Sequence, residues 1–256
     1  AKRAGRNRIA CWNQVPEELR EEGALEREKI ESLRGRVASL MVQSREMFME
    51  SICGLVRALD ARDPYAKSHS ENVMRLSVGI ARQMGLREEE VGVIRRGAMI
   101  HDVGKIGIAD LVLRKPGELN EEERRVMEQH PLIGVSILDQ MRFLDRELPI
   151  VRQHHERWDG GGYPDGVAAE AIARDARIVA VADALEAITS TRNYHEAKSL
   201  DDALVEIDSA VRLQFDPEPV AALHAWVRAE QTRAGDGRAV TIGDLLEAQK
   251  DCTMAA

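Results

Sequence analysis

His154 and His155 stand side by side at the head of the run His154-His155-Glu156-Arg157-Trp158-Asp159-Gly160-Gly161-Gly162-Tyr163-Pro164. Upstream lies a second doublet, His101-Asp102, with Lys105 following. Histidine and carboxylate gathered this densely are a metal-site composition. Two neighbouring imidazoles and a carboxylate able to bridge suit two metals better than one. A pair of metals beside a cationic side chain is the arrangement with which enzymes cut phosphate esters, so this is the first chemistry the sequence predicts.

The elements that must carry these residues read as helices. Asp63-Pro64 is a turn or helix-start signal, and the helix after it ends near Gly85. On it His69, Val73, Leu76 and Ile80 recur at helical spacing, so His69 shares the buried stripe. A lone core histidine bonded to a backbone carbonyl is the commoner reason for such a placement; His69 gains weight as a ligand only beside the others. The next helix is expected over Glu88 to Ile106, with Val91, Ile94, Ala98, His101 and Lys105 on one face and Asp102 beside them. Burying those ionisable groups without partners would be costly. A metal would be such a partner; solvent at the helix end is the alternative. Pro116-Gly117 makes a turn, Asn120 with Glu123 forms a capping-box-like start to a helix ending at His130-Pro131, and another helix runs to about Arg142.

Ile150 to Arg157 reads as helix, where neighbouring residues diverge by about 100°, so His154 and His155 would approach a metal centre from different angles. Arg177 to Ser190 is almost wholly apolar, and Asp183 is the only charge between Arg177 and Glu186. A carboxylate there is expensive unless paired or coordinated. Ser199 caps a last core helix with Asp201 and Asp202 in its first turn, and an apolar stretch after Phe215-Asp216-Pro217 reaches Val227. No repeat and no strand-period segment appears. Five of the seven histidines thus fall on helices of one expected core, which predicts an all-α polynuclear metal hydrolase.

At 256 residues and 44% hydrophobic, the chain can bury one substantial core, and 4% aromatics with abundant Ala, Leu, Glu and Arg favour helices. The net charge of -8 argues against a general nucleic-acid binder, because no basic face dominates. Cys11, Cys53 and Cys252 lack ligand or disulfide spacing, which predicts a reducing, cytoplasmic setting, and no apolar run approaches a membrane span. The chain opens at Ala1 rather than methionine, as a processed product or a piece of a longer protein would. Residues Ala1 to Asn13 read as loose. From about Glu17 the chain is charge-dense, and Ile30, Leu33, Val37, Leu40, Ser44 and Met47 follow a three-four spacing. A two-helix coiled coil and a single amphipathic helix packed on its own domain both fit that seam. Three segments are expected: 1–46 as linker and coiled-coil-like helix, 47–227 as the core domain, and 228–256 as a loosely held tail in which Val240 to Leu246 could dock.

Several motifs recur in order. They are Arg62-Asp63-Pro64-Tyr65 with His69-Ser70, His101-Asp102-Val103-Gly104-Lys105-Ile106-Gly107-Ile108, Lys115-Pro116-Gly117-Glu118-Leu119, and Met127-Glu128-Gln129-His130-Pro131. The run from His154 to Pro164 and Ala182-Asp183-Ala184 through Arg192 follow. With these, the chain strongly resembles the HD-GYP family over about Met47 to Val227. That family is the subgroup of HD-domain phosphohydrolases that degrades cyclic di-GMP in bacteria. The resemblance implies an HD-domain-like helical bundle with a helical extension at its N-terminus.

It also implies roles. His69, His101, Asp102 and Asp183 would hold one metal, and Asp102 would bridge to a second held by His130, His154 and His155. Such a set without sulfur implies iron or manganese rather than a structural zinc. Some family members hold a third metal through a glutamate where this chain has Tyr65, so two metals are expected. Lys105 would face the scissile phosphate, Arg192 and Tyr163 would bind substrate, and the Asp159 to Pro164 turn would offer a docking surface to diguanylate cyclase (GGDEF) domains. The family usually has Pro at Asn193 and Lys or Arg at His195; these departures bear on the substrate grip, since His195 can be uncharged at neutral pH. A water or hydroxide between two metals about 3.5–4 Å apart would open the cyclic dinucleotide, and a second cut would give mononucleotides. A homodimer under an upstream sensor is expected as well. Two other readings remain: a catalytically weak nucleotide-sensing or GGDEF-docking module, and a hydrolase of another cyclic dinucleotide.

Overall fold

The computed structural model describes residues 17–62, 68–191, 197–235 and 239–250. The readings at Ala1 to Asn13, at Asp63-Pro64 and Tyr65, and at Arg192, Asn193 and His195 therefore lie outside the described residues. The chain divides into two compact units at Met49 and Glu50.

The first unit holds the greater part of α1 (Glu17–Arg62), one uninterrupted helix. No proline interrupts it, and its many Glu, Arg, Leu and Ala residues, strong helix formers, outweigh Gly23, Gly35 and Gly54. Ile30, Leu33, Val37, Leu40 and Met47 are each at least half exposed.

The second unit is built around α2 (His69–Gln83), α3 (Glu88–Ile100) and α8 (Arg174–Thr189). The periodic stripe of α2 does what its spacing predicts: Val73, Leu76 and Ile80 are fully buried. Each such side chain contributes about 1.5–3 kcal/mol when taken from water. α2 packs along α3 and α8, with α10 (Pro217–Ala234) also against it. α8 is apolar nearly all round, as a helix covered on several sides must be; Ile178, Val179, Val181, Ala182 and Leu185 are buried. Shorter helices complete the unit: α4 (Asp110–Leu113), α5 (Glu121–Met127), α6 (His130–Leu138), α7 (Leu148–Gln153), α9 (Leu200–Ser209) and α11 (Ile242–Glu247). The caps expected at Asn120 and Ser199 form: Asn120 accepts from Glu123 N and Ser199 from Asp202 N.

Residues 228–234, expected to begin a loose tail, instead continue α10, because Arg, Ala, Glu and Gln are helix formers with no breaker before Gly235. Beyond it Thr241 caps α11, which docks on α2 and buries Leu245 completely. Among the described residues the sole strand-like pairing is an isolated bridge between Val211 and Phe215. None of their helices is long and apolar enough to cross a membrane.

Candidate metal centre

Helix ends, more than helix faces, assemble the histidines. His69 is the first residue of α2 and His130 the first of α6, while His101 caps the end of α3 and His154 the end of α7. Two expected helices are therefore shorter than their apolar pattern. α3 stops at Ile100 and the chain tightens into a 3-10 turn over Val103–Gly107. That turn lies directly on α6: a Cβ at Gly104 would sit 1.8 Å from the carbonyl oxygen of His130. Only glycine permits the approach, and it brings the His101-Asp102 doublet beside His130. α7 likewise stops at Gln153, so His155 lies in the turn that follows.

The free carbonyls at helix C-termini set the ring orientations. His101 Nδ1 donates to Ala98 O at 2.6 Å, His130 Nδ1 to Met127 O at 2.8 Å and His154 Nδ1 to Val151 O at 3.0 Å. A carbonyl can only accept, so the proton resides on Nδ1 and the lone pair of Nε2 points inward, the arrangement a ligating imidazole needs. His69 departs from this pattern. Its Nδ1 donates at 2.7 Å to Oε2 of Glu186, a residue of α8 that sequence reasoning passed over. The signal was there, since Glu186 stands three residues after Asp183 and shares its helix face.

Asp102 divides its two oxygens between two groups. Oδ2 lies 3.5 Å from His69 Nε2 and 3.3 Å from His101 Nε2, while Oδ1 lies 3.2 Å from His130 Nε2 and 3.8 Å from His154 Nε2. Asp183 Oδ1 is 3.4 Å from His69 Nε2. Potential ligand atoms within 4.8 Å of one another form two sets, Asp102 with His130, His154 and His155, and His69 with His101 and Asp183. All seven are the residues expected from the sequence. The donor set fits divalent cations: His101 Nε2 and Asp102 Oδ1 are buried without a hydrogen-bond partner, and inward lone pairs facing carboxylate oxygens repel unless a cation lies among them.

The electrostatics divide the cluster: carboxylates raise His69 and His101, while burial lowers His154 and His155. Burial alone would raise the Asp102 carboxyl, yet Lys105 and His101 hold it well below the usual carboxylate range. Burial disfavours charge on His69, but Asp102 and Glu186 outweigh it and push the imidazole up to about 10, so a cation at its Nε2 would displace a proton. Burial and the adjacent His155 lower His154 well below its ordinary value, and burial with His130 brings His155 down to about 3. Those two rings stay neutral, as ligands must.

Lys105 Nζ reaches Asp102 Oδ2 at 2.5 Å. Tyr163 stacks on His155 with ring centroids 4.8 Å apart. Gly162 permits this: a Cβ there would lie 2.4 Å from Arg157 N and 2.5 Å from His155 O, so the chain folds back tightly and Tyr163 N donates to His155 O at 3.2 Å. The buried Glu156 secures the same turn by accepting from Asp165 N and Gly166 N. A cavity of about 680 Å³ opens over the cluster, lined among others by His155, Asp183, Tyr163, Arg157, Ile207 and Phe215. That volume is in the range of sites for drug-sized ligands.

This combination, an all-helical unit with a buried His-Asp doublet at its centre, is that of an HD domain. The family model described as HD domain matches residues 55–218. The chain belongs to that family, and its relatives are of the HD-GYP kind. It is 41% identical over 218 residues to the cyclic di-GMP phosphodiesterase response regulator RpfG of Xanthomonas campestris, covering 84% of this chain and 57% of that protein. It is 39% identical over 202 residues to a cyclic di-GMP phosphodiesterase of Thermotoga maritima, covering 75% and 55%. The chain thus spans a little over half the length of these curated relatives. A solved cyclic GMP-AMP specific phosphodiesterase of V. cholerae, V-cGAP3, shares the fold with a TM-score of 0.58 at 19% identity, covering 79% of this chain and 53% of that one.

Proposed function

We propose that this chain is the catalytic part of a metal-dependent phosphodiesterase that opens cyclic di-GMP to the linear dinucleotide, to GMP, or to both. One observation carries the reading: Asp102 turns Oδ2 to His69 and His101 and Oδ1 to His130 and His154, the disposition of a carboxylate shared by two cations. His69, His101, Asp102 and Asp183 would hold one ion and Asp102, His130, His154 and His155 the other. The nitrogen and oxygen donors, without sulfur, favour iron or manganese. When bound, the ions supply Lewis-acid activation of water and neutralise phosphate oxygens. The chain's own part is to position. Lys105 offers its ammonium to a phosphate oxygen, Tyr163 forms a wall of the cavity beside His155, and Arg192 is assigned to substrate by its place in the motif.

The exposed seam of Ile30, Leu33, Val37, Leu40 and Met47 supports pairing of two chains, through which an upstream sensor would act. The Gly160 to Tyr163 surface is assigned to docking of GGDEF domains, and the reducing cytoplasm is the setting the cysteine pattern favours. A second reading, hydrolysis of a mixed cyclic dinucleotide, is favoured by 35% identity over 167 residues to a 3'3'-cGAMP-specific phosphodiesterase of Vibrio cholerae. Incubation with cyclic di-GMP and with cyclic GMP-AMP, with manganese or with chelator, followed by product chromatography, tests both. Turnover of cyclic di-GMP that chelator abolishes is expected. Turnover of cyclic GMP-AMP alone would establish the second reading, and turnover of neither would overturn the function.

A further inference from the structure

Three histidines of the centre, His101, His130 and His154, are oriented by backbone carbonyls, and His69 alone of these four by a carboxylate. Glu186 is buried, and both its oxygens are engaged. Oε2 accepts from His69 Nδ1 at 2.7 Å, while Oε1 accepts from Ser190 Oγ at 2.9 Å and from Asn72 Nδ2 at 3.4 Å. It occupies the same face of α8 as Asp183, whose Oδ1 lies 3.4 Å from the other nitrogen of the same ring. The His69 ring is thus spanned by two carboxylates of α8 one helical turn apart, Glu186 at Nδ1 and Asp183, beside Asp102, at Nε2.

A carboxylate on the outer nitrogen of an imidazole fixes its tautomer and aim and makes the inner nitrogen a stronger donor. A neutral carbonyl does the first but adds less to the second, because a charged acceptor makes the stronger hydrogen bond. The two halves of the centre are therefore unlike. The half with His69, His101 and Asp183 has Glu186 behind it, and the half with His130, His154 and His155 has backbone carbonyls behind two of its three rings.

We infer that Glu186 is a positioning residue, which grips His69 Nδ1 and thereby makes the His69–His101–Asp183 half of the centre the tighter metal site. This rests on the reading that the cluster holds metal. Glu186 itself touches neither ion nor substrate; it acts through His69. Its effect must therefore vanish when His69 is removed, which a merely structural carboxylate on α8 would not show.

The test is a double-mutant cycle read by calorimetric titration of manganese(II) into the metal-free chain. Glu186→Gln is the first variant, since it preserves shape and can still accept from His69 Nδ1 through its amide oxygen while removing charge. It should weaken the tighter manganese step about 10-fold, and Glu186→Ala should weaken it up to about 100-fold. In a His69→Ala background, Glu186→Gln should change manganese affinity less than 2-fold. Far-ultraviolet circular dichroism and melting of each chain show whether it is folded; the Gln variant keeps the test decisive should the Ala variant not fold. Equal weakening by Glu186→Gln in both backgrounds would overturn the inference, as would unchanged affinity in the otherwise native chain that still takes up manganese. A native chain that binds no manganese would overturn the metal reading together with this one, so the two failures are distinguishable.

Discussion

Lys105 Nζ lies 2.5 Å from Oδ2 of Asp102, so the lysine of the 3-10 turn is held on the carboxylate that faces both groups of histidines. The side chain is about a quarter exposed, so its ammonium is open to solvent. Lys105→Ala should retain metal yet lose turnover by about 10²-fold or more, the scale of removing one preorganised charge. Metal analysis beside steady-state kinetics checks this, and unchanged turnover would make the lysine structural.

Removing Asp102 should act differently. Asp102→Ala takes away what is, among the described residues, the only carboxylate within 4 Å of imidazole nitrogens from both groups. Bound metal should fall to a small fraction and turnover to background, while helical content persists because the packing of α2, α3 and α8 does not use this side chain. Two metals per chain with normal turnover in Asp102→Ala would refute its role.

Gly162→Ala probes the turn that aims Tyr163. The added methyl would meet Arg157 N, His155 O and Glu156 Cα at 2.4–2.6 Å, all backbone atoms that cannot yield locally. Overpacking of this kind costs about 1–3 kcal/mol. A lower melting temperature and a raised KM are expected as Tyr163 leaves its stack on His155, whereas a native melt and native KM would show that the close approach is dispensable.

The same turn carries a titration signature. Arg157, together with the backbone N–H of Gly161, holds the Asp159 carboxyl down to about 2 from an ordinary 3.8. A depressed carboxylate contributes stability that is complete above the unfolded value and lost as pH falls through the folded one. The contribution of Asp159 should therefore be full above about pH 4 and gone below about pH 2. Carboxyl-detected NMR titration should find the low value in the native chain and a return toward 3.8 in Arg157→Ala.

Light scattering tests the seam. The full chain should be a dimer and a chain starting near Glu46 a monomer, and Leu33→Ala with Leu40→Ala should weaken association without removing metal. A monomer in both would end the dimer reading.

Residue chemistry was more legible in the sequence than element boundaries. His69, His101, Asp102, His130, His154, His155 and Asp183 could be picked out because histidine beside carboxylate on apolar helices is rare without a partner, and the structure brings all seven together. The ends of α3 and α7 were misread because apolar periodicity runs on past them. What stops α3 at Ile100 is a contact between distant segments, Gly104 against His130, that no local pattern reports. Glu186 was missed for a related reason. Its place on the helix face of Asp183 was legible, but only the fold brings His69 to it.

The central claim is that two ions held around Asp102 make this chain a phosphodiesterase. Its most direct test is the turnover of cyclic di-GMP by anaerobically prepared metal-free chain as iron(II) or manganese(II) is added in measured equivalents. Turnover should be absent at zero and rise to a plateau at two ions per chain, with linear dinucleotide or GMP as product. Full turnover without metal, or a plateau at one ion per chain, would contradict it.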